Sequence, residues 1–140
     1  MEWMILPYRR YFEFGGRSRR REYWMFVLFW VLVVAVLEAV FGTRTATHGS
    51  DGFSYGVAIE GGIGDIIYDL LALVSFIPGL AVSIRRLHDQ DRTGWLMLMA
   101  IIPLFGWFAL LVMMCLEGTR GPNRFGSDPK GRIDPRDVFE

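Results

Sequence analysis

Apolar residues in this chain are gathered into three long blocks, and the charged residues fall between them. The first block, Trp24 to Phe41, runs for eighteen residues with Glu38 as its only charge. At about 1.5 Å per residue, a helix of that length can cross a bilayer core with little tilt. The second, Ile63 to Ile84, carries Asp65 and Asp69 in its first two turns and Pro78-Gly79 towards its end, which predicts a spanning helix kinked at Pro78. The third, Trp95 to Leu116, has twenty-two residues and no charge, interrupted by Pro103 and Gly106 near its middle. Ahead of these, Trp3, Ile5, Leu6, Tyr8, Tyr11 and Phe12 are mixed with Arg9 and Arg10, the pattern of a short interfacial helix. Beyond Gly118 the sequence is dense in Gly, Pro, Asn and Asp in turn-forming order. The pattern as a whole predicts an all-α membrane protein. It has about three transmembrane helices, over 24–41, 63–84 and 95–116, an interfacial N-terminal helix and a turn-rich C-terminal tail, in one membrane-embedded domain over residues 1–140.

Composition agrees: of 140 residues, 52% are hydrophobic and 21% charged, which excludes a disordered chain and disfavours a soluble globule. Lys+Arg and Asp+Glu balance at 15 each, so no global charge draws the chain to nucleic acid. Cys115 alone cannot form an internal disulfide or a multi-cysteine metal site. No P-loop, dinucleotide fingerprint, zinc-protease helix or Ser-His-Asp set is present, so no cofactor or metal is expected.

Orientation follows from the flanks, which hold six Lys/Arg in residues 1–23, one in 42–62, three in 85–94 and five in 117–140. The N-terminus and the 85–94 loop are expected in the cytoplasm, with the first block a retained signal anchor. Three full spans would then put the tail outside, against its own basic content. A re-entrant hairpin breaking at Pro103-Leu104-Phe105-Gly106 is the alternative, and it returns the tail to the cytoplasm.

Three groups of residues carry candidate chemistry. GRSRRREYW at 16–24 puts Arg17, Arg20, Glu22 and Trp24 at the mouth of the first span, where arginine forks suit lipid phosphate or a partner, although topology signalling alone explains such a cluster. RRLHDQDRTGW at 85–95 holds Arg85, Arg86, His88, Asp89, Arg92 and Trp95. An ion-pair lattice, in which Arg85, Arg86 or Arg92 meets Glu22 and Asp89 and ties the first two spans together, is preferred there over a metal or proton-relay site. Glu38, Asp65 and Asp69 lie at similar depth in antiparallel spans and are candidates for ion or proton binding, or are simply solvated at the interface.

Together with GTRGPNRFGSDP at 118–129, which contains Asn123, these signatures closely resemble the DUF805 family of small bacterial inner-membrane proteins. The matching positions include Gly16, Arg17, Arg20, Glu22, Tyr23 and Trp24, then Arg85 to Asp89, Arg92, Gly94 and Trp95, and finally Gly118, Thr119, Gly121, Asn123, Gly126 and Asp128. Thr93 and Glu117 depart from it where serine and proline are usual, and the 42–62 loop is longer than usual. The resemblance implies a multi-span plasma-membrane protein with no established catalytic residues. The functional expectation is a non-enzymatic protein that engages anionic phospholipid, or a membrane partner, through its cytoplasmic charged motifs. An oligomeric channel or transporter subunit using Glu38, Asp65 and Asp69 is the alternative.

Overall fold

The computed structural model describes residues 2–49, 52–58 and 62–132. In order along the chain come α1 (Glu2–Arg9), α2 (Arg20–Phe41), strands β1 (Thr43–Gly49) and β2 (Gly52–Ala58), α3 (Ile63–His88), a 3-10 helix (Gly94–Ile101) and α4 (Phe105–Cys115). The framework is the helical one expected, with a short helix ahead of the first span. The antiparallel hairpin β1–β2, pairing Thr43 with Ala58 through to Gly49 with Gly52, is an added element inside the 42–62 loop. The strands are rich in threonine and aromatic or β-branched residues, which favour extended backbone.

The chain divides into two compact units, Val27–Phe76 and Met1–Phe26 with Ile77–Glu140. The first unit comprises most of α2, the hairpin and the first half of α3. Its helical surface is apolar and open: Val36, Leu73 and Phe76 are all at least 60% exposed. The second unit is inverted relative to a soluble protein, since its most deeply buried large side chains are Arg85, Arg86 and Leu87 while Phe105 is 84% exposed. That is the distribution expected when the surrounding solvent is lipid. Its apolar packing is small. Phe26 lies against Tyr8, with ring centroids 5.6 Å apart, and against Gly79, and Pro7, Pro78, Ala81 and Val82 are buried with it.

α2 and α3 have the length and apolarity of membrane spans. α3 runs unbroken through Pro78, and Ser83 Oγ donates to the Gly79 carbonyl at 2.7 Å. It ends in a Schellman turn: Arg92 N–H bonds to Leu87 O and Asp91 N–H to His88 O, both at 3.0 Å, with Asp91 left-handed at φ 57°.

The third block is not one continuous span. The 3-10 helix stops at Ile101, Leu104 takes φ 62° and ψ −68°, and α4 restarts at Phe105. Leu104 is the centre of a three-residue turn closed by Phe105 N–H to Pro103 O at 2.8 Å. Pro103 supplies no N–H to continue the first helix, and Gly106 lets the returning helix press on Met99, whose carbonyl oxygen a Cβ would overlap. The indole N–H of Trp107 bonds to Ala100 O at 2.8 Å across the hairpin while its ring stays exposed, so this residue braces the turn and is not packed inside. Eight residues of 3-10 helix at about 2.0 Å each and eleven of α-helix at about 1.5 Å each make two arms of nearly equal length, about half a hydrocarbon core deep. The 95–116 block is thus two short helices joined by a turn at 102–104, and not one continuous helix. Both ends of the block meet the C-terminal end of α3, Gly94 at Ile84 and His88, and Met113 to Leu116 at Gln90 and Arg86.

Candidate functional site

The charged signatures converge at that end of α3. The helix period places Arg86 and Asp89 one turn apart, and the segment before α2 brings Arg17 alongside, where Ser18 N–H bonds to Arg85 O at 3.1 Å. Asp89 sits between two guanidinium groups: Arg17 Nε donates to Oδ1 at 3.0 Å and Arg86 Nη1 to Oδ2 at 2.6 Å, with all three side chains buried. Arg17 also donates to the carbonyl oxygens of Gly121, at 2.7 Å, and Thr119. Arg86 donates to Leu116 O and Met114 O. The tail is fixed from its own side as well, because Thr119 N–H bonds to Asp89 O at 2.9 Å.

Glu22 and Arg85 form a second buried pair. Arg85 Nη2 lies 3.1 Å from Glu22 Oε1, within ion-pair distance but out of line for a hydrogen bond, so charge holds this pair more than directional bonding does. Asp128 completes the set, taking Arg132 Nε at 2.8 Å and Lys130 N–H at 2.9 Å, with Arg17 Nη2 at 3.9 Å. Burial works against ionisation of Asp128, but Arg132, the Lys130 amide and Arg17 outweigh it and hold its carboxyl below its ordinary value. Three buried arginines thus face three buried carboxylates, the balance that makes burial of so much charge tolerable.

The rest of the 85–95 and 118–129 signatures support this cluster. Asn123 Nδ2 donates to His88 O at 2.9 Å and to Thr119 Oγ1 at 3.1 Å, and its own Oδ1 accepts from Phe125 N–H at 3.0 Å. The His88 ring stacks on Phe125 at 3.8 Å and 4°, with Nδ1 3.3 Å from Gly16 O. Arg20 is partly exposed and reaches Cys115 O at 3.0 Å and Glu117 at 3.3 Å. Glu117 also takes Lys130 and Arg132, and the hydrogen bond from Lys130 leads in keeping its carboxyl below its ordinary value.

Of the residues singled out in the sequence, Arg17, Glu22, Arg85, Arg86 and Asp89 are therefore brought together in the interior, with His88, Asn123 and Arg20 bracing them. Arg92, Trp24 and Trp95 remain at the surface. Glu38 and Asp69 are exposed and Asp65 half-buried in the other unit, and among the described residues no three His, Cys, Asp or Glu side chains group as metal ligands. Sequence reasoning passed over Gln90, whose amide donates to Met113 O, and Phe125 and Arg132. The spacing of Asp128 and Arg132 was the available signal for the last. Gln90 and Phe125 act through tertiary contacts that leave no periodic trace.

Two helices long and apolar enough to span, an apolar hairpin and a buried ionic cluster where these elements end define a small α-helical membrane protein whose tail is clamped onto its charged end. The chain belongs to the family described as Protein of unknown function (DUF805), which matches residues 11–127. It is 38% identical to the Inner membrane protein YhaH of Escherichia coli K12 over 93% of this chain and 98% of that protein. It is equally identical to the Inner membrane protein YhaI of the same strain, over 93% and 97%. The Uncharacterized protein YiiR of that strain is 29% identical over 84% and 86%. No solved structure matches.

Proposed function

We propose that this chain is a non-catalytic, multi-pass protein of the bacterial inner membrane whose charged end faces the cytoplasm and gathers anionic phospholipid. The observation that carries the reading is the division of arginines at that end. Arg17, Arg85 and Arg86 are consumed inside the cluster, while Arg9, Arg21, Arg92 and Arg120 are exposed and pair with no carboxylate among the described residues. Of the exposed acids nearby among the described residues, Glu13 is held by Arg10, Asp91 by Arg124 and Glu117 by Arg20, Lys130 and Arg132, which leaves Glu2. Among the described residues the unpaired charge at this end is therefore predominantly basic. Arg19 and Arg21 lie 5.6 and 5.8 Å from the Trp3 ring, a basic-aromatic pairing suited to the headgroup layer. Each such cation contributes about 1 kcal/mol at an anionic surface.

The inner-membrane placement is supported by the names of YhaH and YhaI, and the cytoplasmic side by the Lys/Arg count. A non-catalytic role fits Asp89, both of whose carboxylate oxygens are occupied by guanidinium groups, and His88, stacked on Phe125. The test is the lipid composition retained around the protein in nanodiscs of mixed phosphatidylglycerol and phosphatidylcholine. Enrichment of the anionic lipid, reduced in an Arg9→Glu/Arg21→Glu/Arg120→Glu variant, is expected. A retained composition equal to the bulk mixture for both proteins overturns the reading.

A further inference from the structure

We propose that the groove between the C-terminal half of α3 and the 3-10 helix holds one phospholipid with a phosphoglycerol headgroup. This deepens the lipid reading above and rests on it. The groove has a volume of about 400 Å³ and is lined by Leu80, Ile84, Met97, Leu98, Trp95 and His88, with Gly94 at the point where the two elements meet. That volume lies within the ordinary range for a small-molecule site.

Its walls differ along their length. Leu80, Ile84, Met97 and Leu98 offer only hydrocarbon, which suits an acyl chain and nothing polar. At the other end the polar group is His88. Its Nδ1 faces the Gly16 carbonyl, an acceptor only, so Nδ1 carries the proton; burial holds the ring's pKa below its ordinary value and favours the neutral form, in which Nε2 is an acceptor. Nε2 lies 3.5 Å from where a Cβ on Gly94 would stand, beside the groove wall. An acceptor there calls for a donor such as a glycerol hydroxyl, which a choline headgroup lacks.

Charge complementarity supplies the remaining argument. Arg92, exposed and pairing with no carboxylate among the described residues, is two residues before Gly94, and its amide is tied to Leu87 O at the end of α3. Arg124 stands over Phe125, the ring stacked on His88. Arg124 is already paired with Asp91 at 3.1 Å, so Arg92 leaves one net positive charge at the polar end of the apolar trough, which matches one phosphodiester with its chain in the trough. Gly94 keeps the trough open, because a Cβ there would come within 2.8 Å of Ile84 Cγ2.

Native mass spectrometry of the full chain, released from detergent with phosphatidylglycerol or phosphatidylcholine added, tests this. One saturable phosphatidylglycerol adduct is expected, with phosphatidylcholine adducts weaker and unsaturated. Arg92→Glu, a surface change, is expected to weaken the saturable adduct by about fivefold or more. Leu98→Trp, which fills the trough from its exposed side, is expected to abolish it at an unchanged melting temperature. Val36→Ala, exposed on α2 in the other unit, is expected to leave it intact. Adducts that never saturate, or that survive both Arg92→Glu and Leu98→Trp, overturn the proposal, as does equal saturable binding of phosphatidylcholine. A saturable adduct from a protein that shows no anionic enrichment in nanodiscs keeps the groove and removes the wider basic surface.

Discussion

Gly118 lies so close to the Asp89 carboxylate that a Cβ on residue 118 would overlap the carboxylate carbon and both oxygens. The glycine is thus required by approach: the tail can reach α3 only where no side chain intervenes. Gly118→Ala is expected to push Asp89 off Arg17 and Arg86, with a loss of about 3 kcal/mol or more, as for other buried pairs that are broken. Trypsin cleavage after Arg120 and Arg124, followed in detergent micelles, checks it. Wild-type resistance in the alanine variant counts against the close approach.

The arginines on either side of Asp89 should behave as a coupled unit. Asp89→Leu alone leaves two buried guanidinium groups facing each other and is expected to cost about 3–5 kcal/mol. The triple change Arg17→Met/Arg86→Met/Asp89→Leu removes the charge altogether and should cost much less than the sum of its single changes. Unfolding midpoints for the full set of variants give the coupling, and strict additivity would mean that Asp89 does not bridge the arginines.

Much of this was legible in the sequence, for reasons that differ by element. α2 and α3 declare themselves because a run of apolar residues long enough to span needs no partner to be recognised. That one or more of Arg85, Arg86 and Arg92 would meet Glu22 and Asp89 followed from placing those residues at adjoining helix ends; the structure pairs Arg85 with Glu22 and Arg86 with Asp89 and leaves Arg92 at the surface. The role of Arg17 was not accessible, since its principal partners, Asp89, Thr119 and Gly121, are 72 to 104 residues away in sequence. Nor was the break at Leu104 decided by apolar length, which scores a hairpin and a span alike; Pro103 and Gly106 mark the place but do not dictate the reversal. Depth within an apolar block does not decide burial either: Trp107 is 60% exposed near the middle of its block, because lipid makes depth and exposure compatible.

The hairpin predicts the side on which the tail lies. Because Gly94 and Leu116 both adjoin the end of α3, Ser127 must share a compartment with Arg92. With Cys115 changed to Ser, single cysteines at Ser127 and Arg92 are expected to react with a membrane-impermeant maleimide only after the inner membrane is permeabilised. Labelling of Ser127→Cys in intact spheroplasts, with Arg92→Cys protected, would require the 95–116 block to cross fully.

Asp128 gives the cluster a pH dependence of definite sign. Its carboxyl is held below its ordinary value in the folded chain, so the unfolded chain takes up the proton first as pH falls. The stabilisation is complete above the unfolded pKa of about 3.9 and disappears as pH drops through the lower folded value. Asp128→Asn is therefore expected to melt below wild type at pH 7, with the gap closing below about pH 4. A gap that stays constant to pH 2 would assign the effect of the substitution to shape alone.

Leu104 offers a test in the opposite direction, a substitution that should stabilise. Its φ of 62° and ψ of −68° belong to a conformation that a side chain bearing a Cβ adopts only under strain, and the Pro103–Phe105 hydrogen bond holds it there. The side chain is 75% exposed, so little packing is lost on removing it. Leu104→Gly relieves strain of about 1–3 kcal/mol against a backbone-entropy cost of about 0.5–1 kcal/mol, leaving a net gain of about 1 kcal/mol. Leu104→Ala keeps the Cβ and with it the strain, so it should show no such gain. Thermal melting of the three proteins in the same detergent separates the cases. A glycine variant that melts no higher than the alanine variant would mean that the reversal at 103–105 does not impose the positive φ, and with it would fall the argument that this turn folds the third apolar block back on itself.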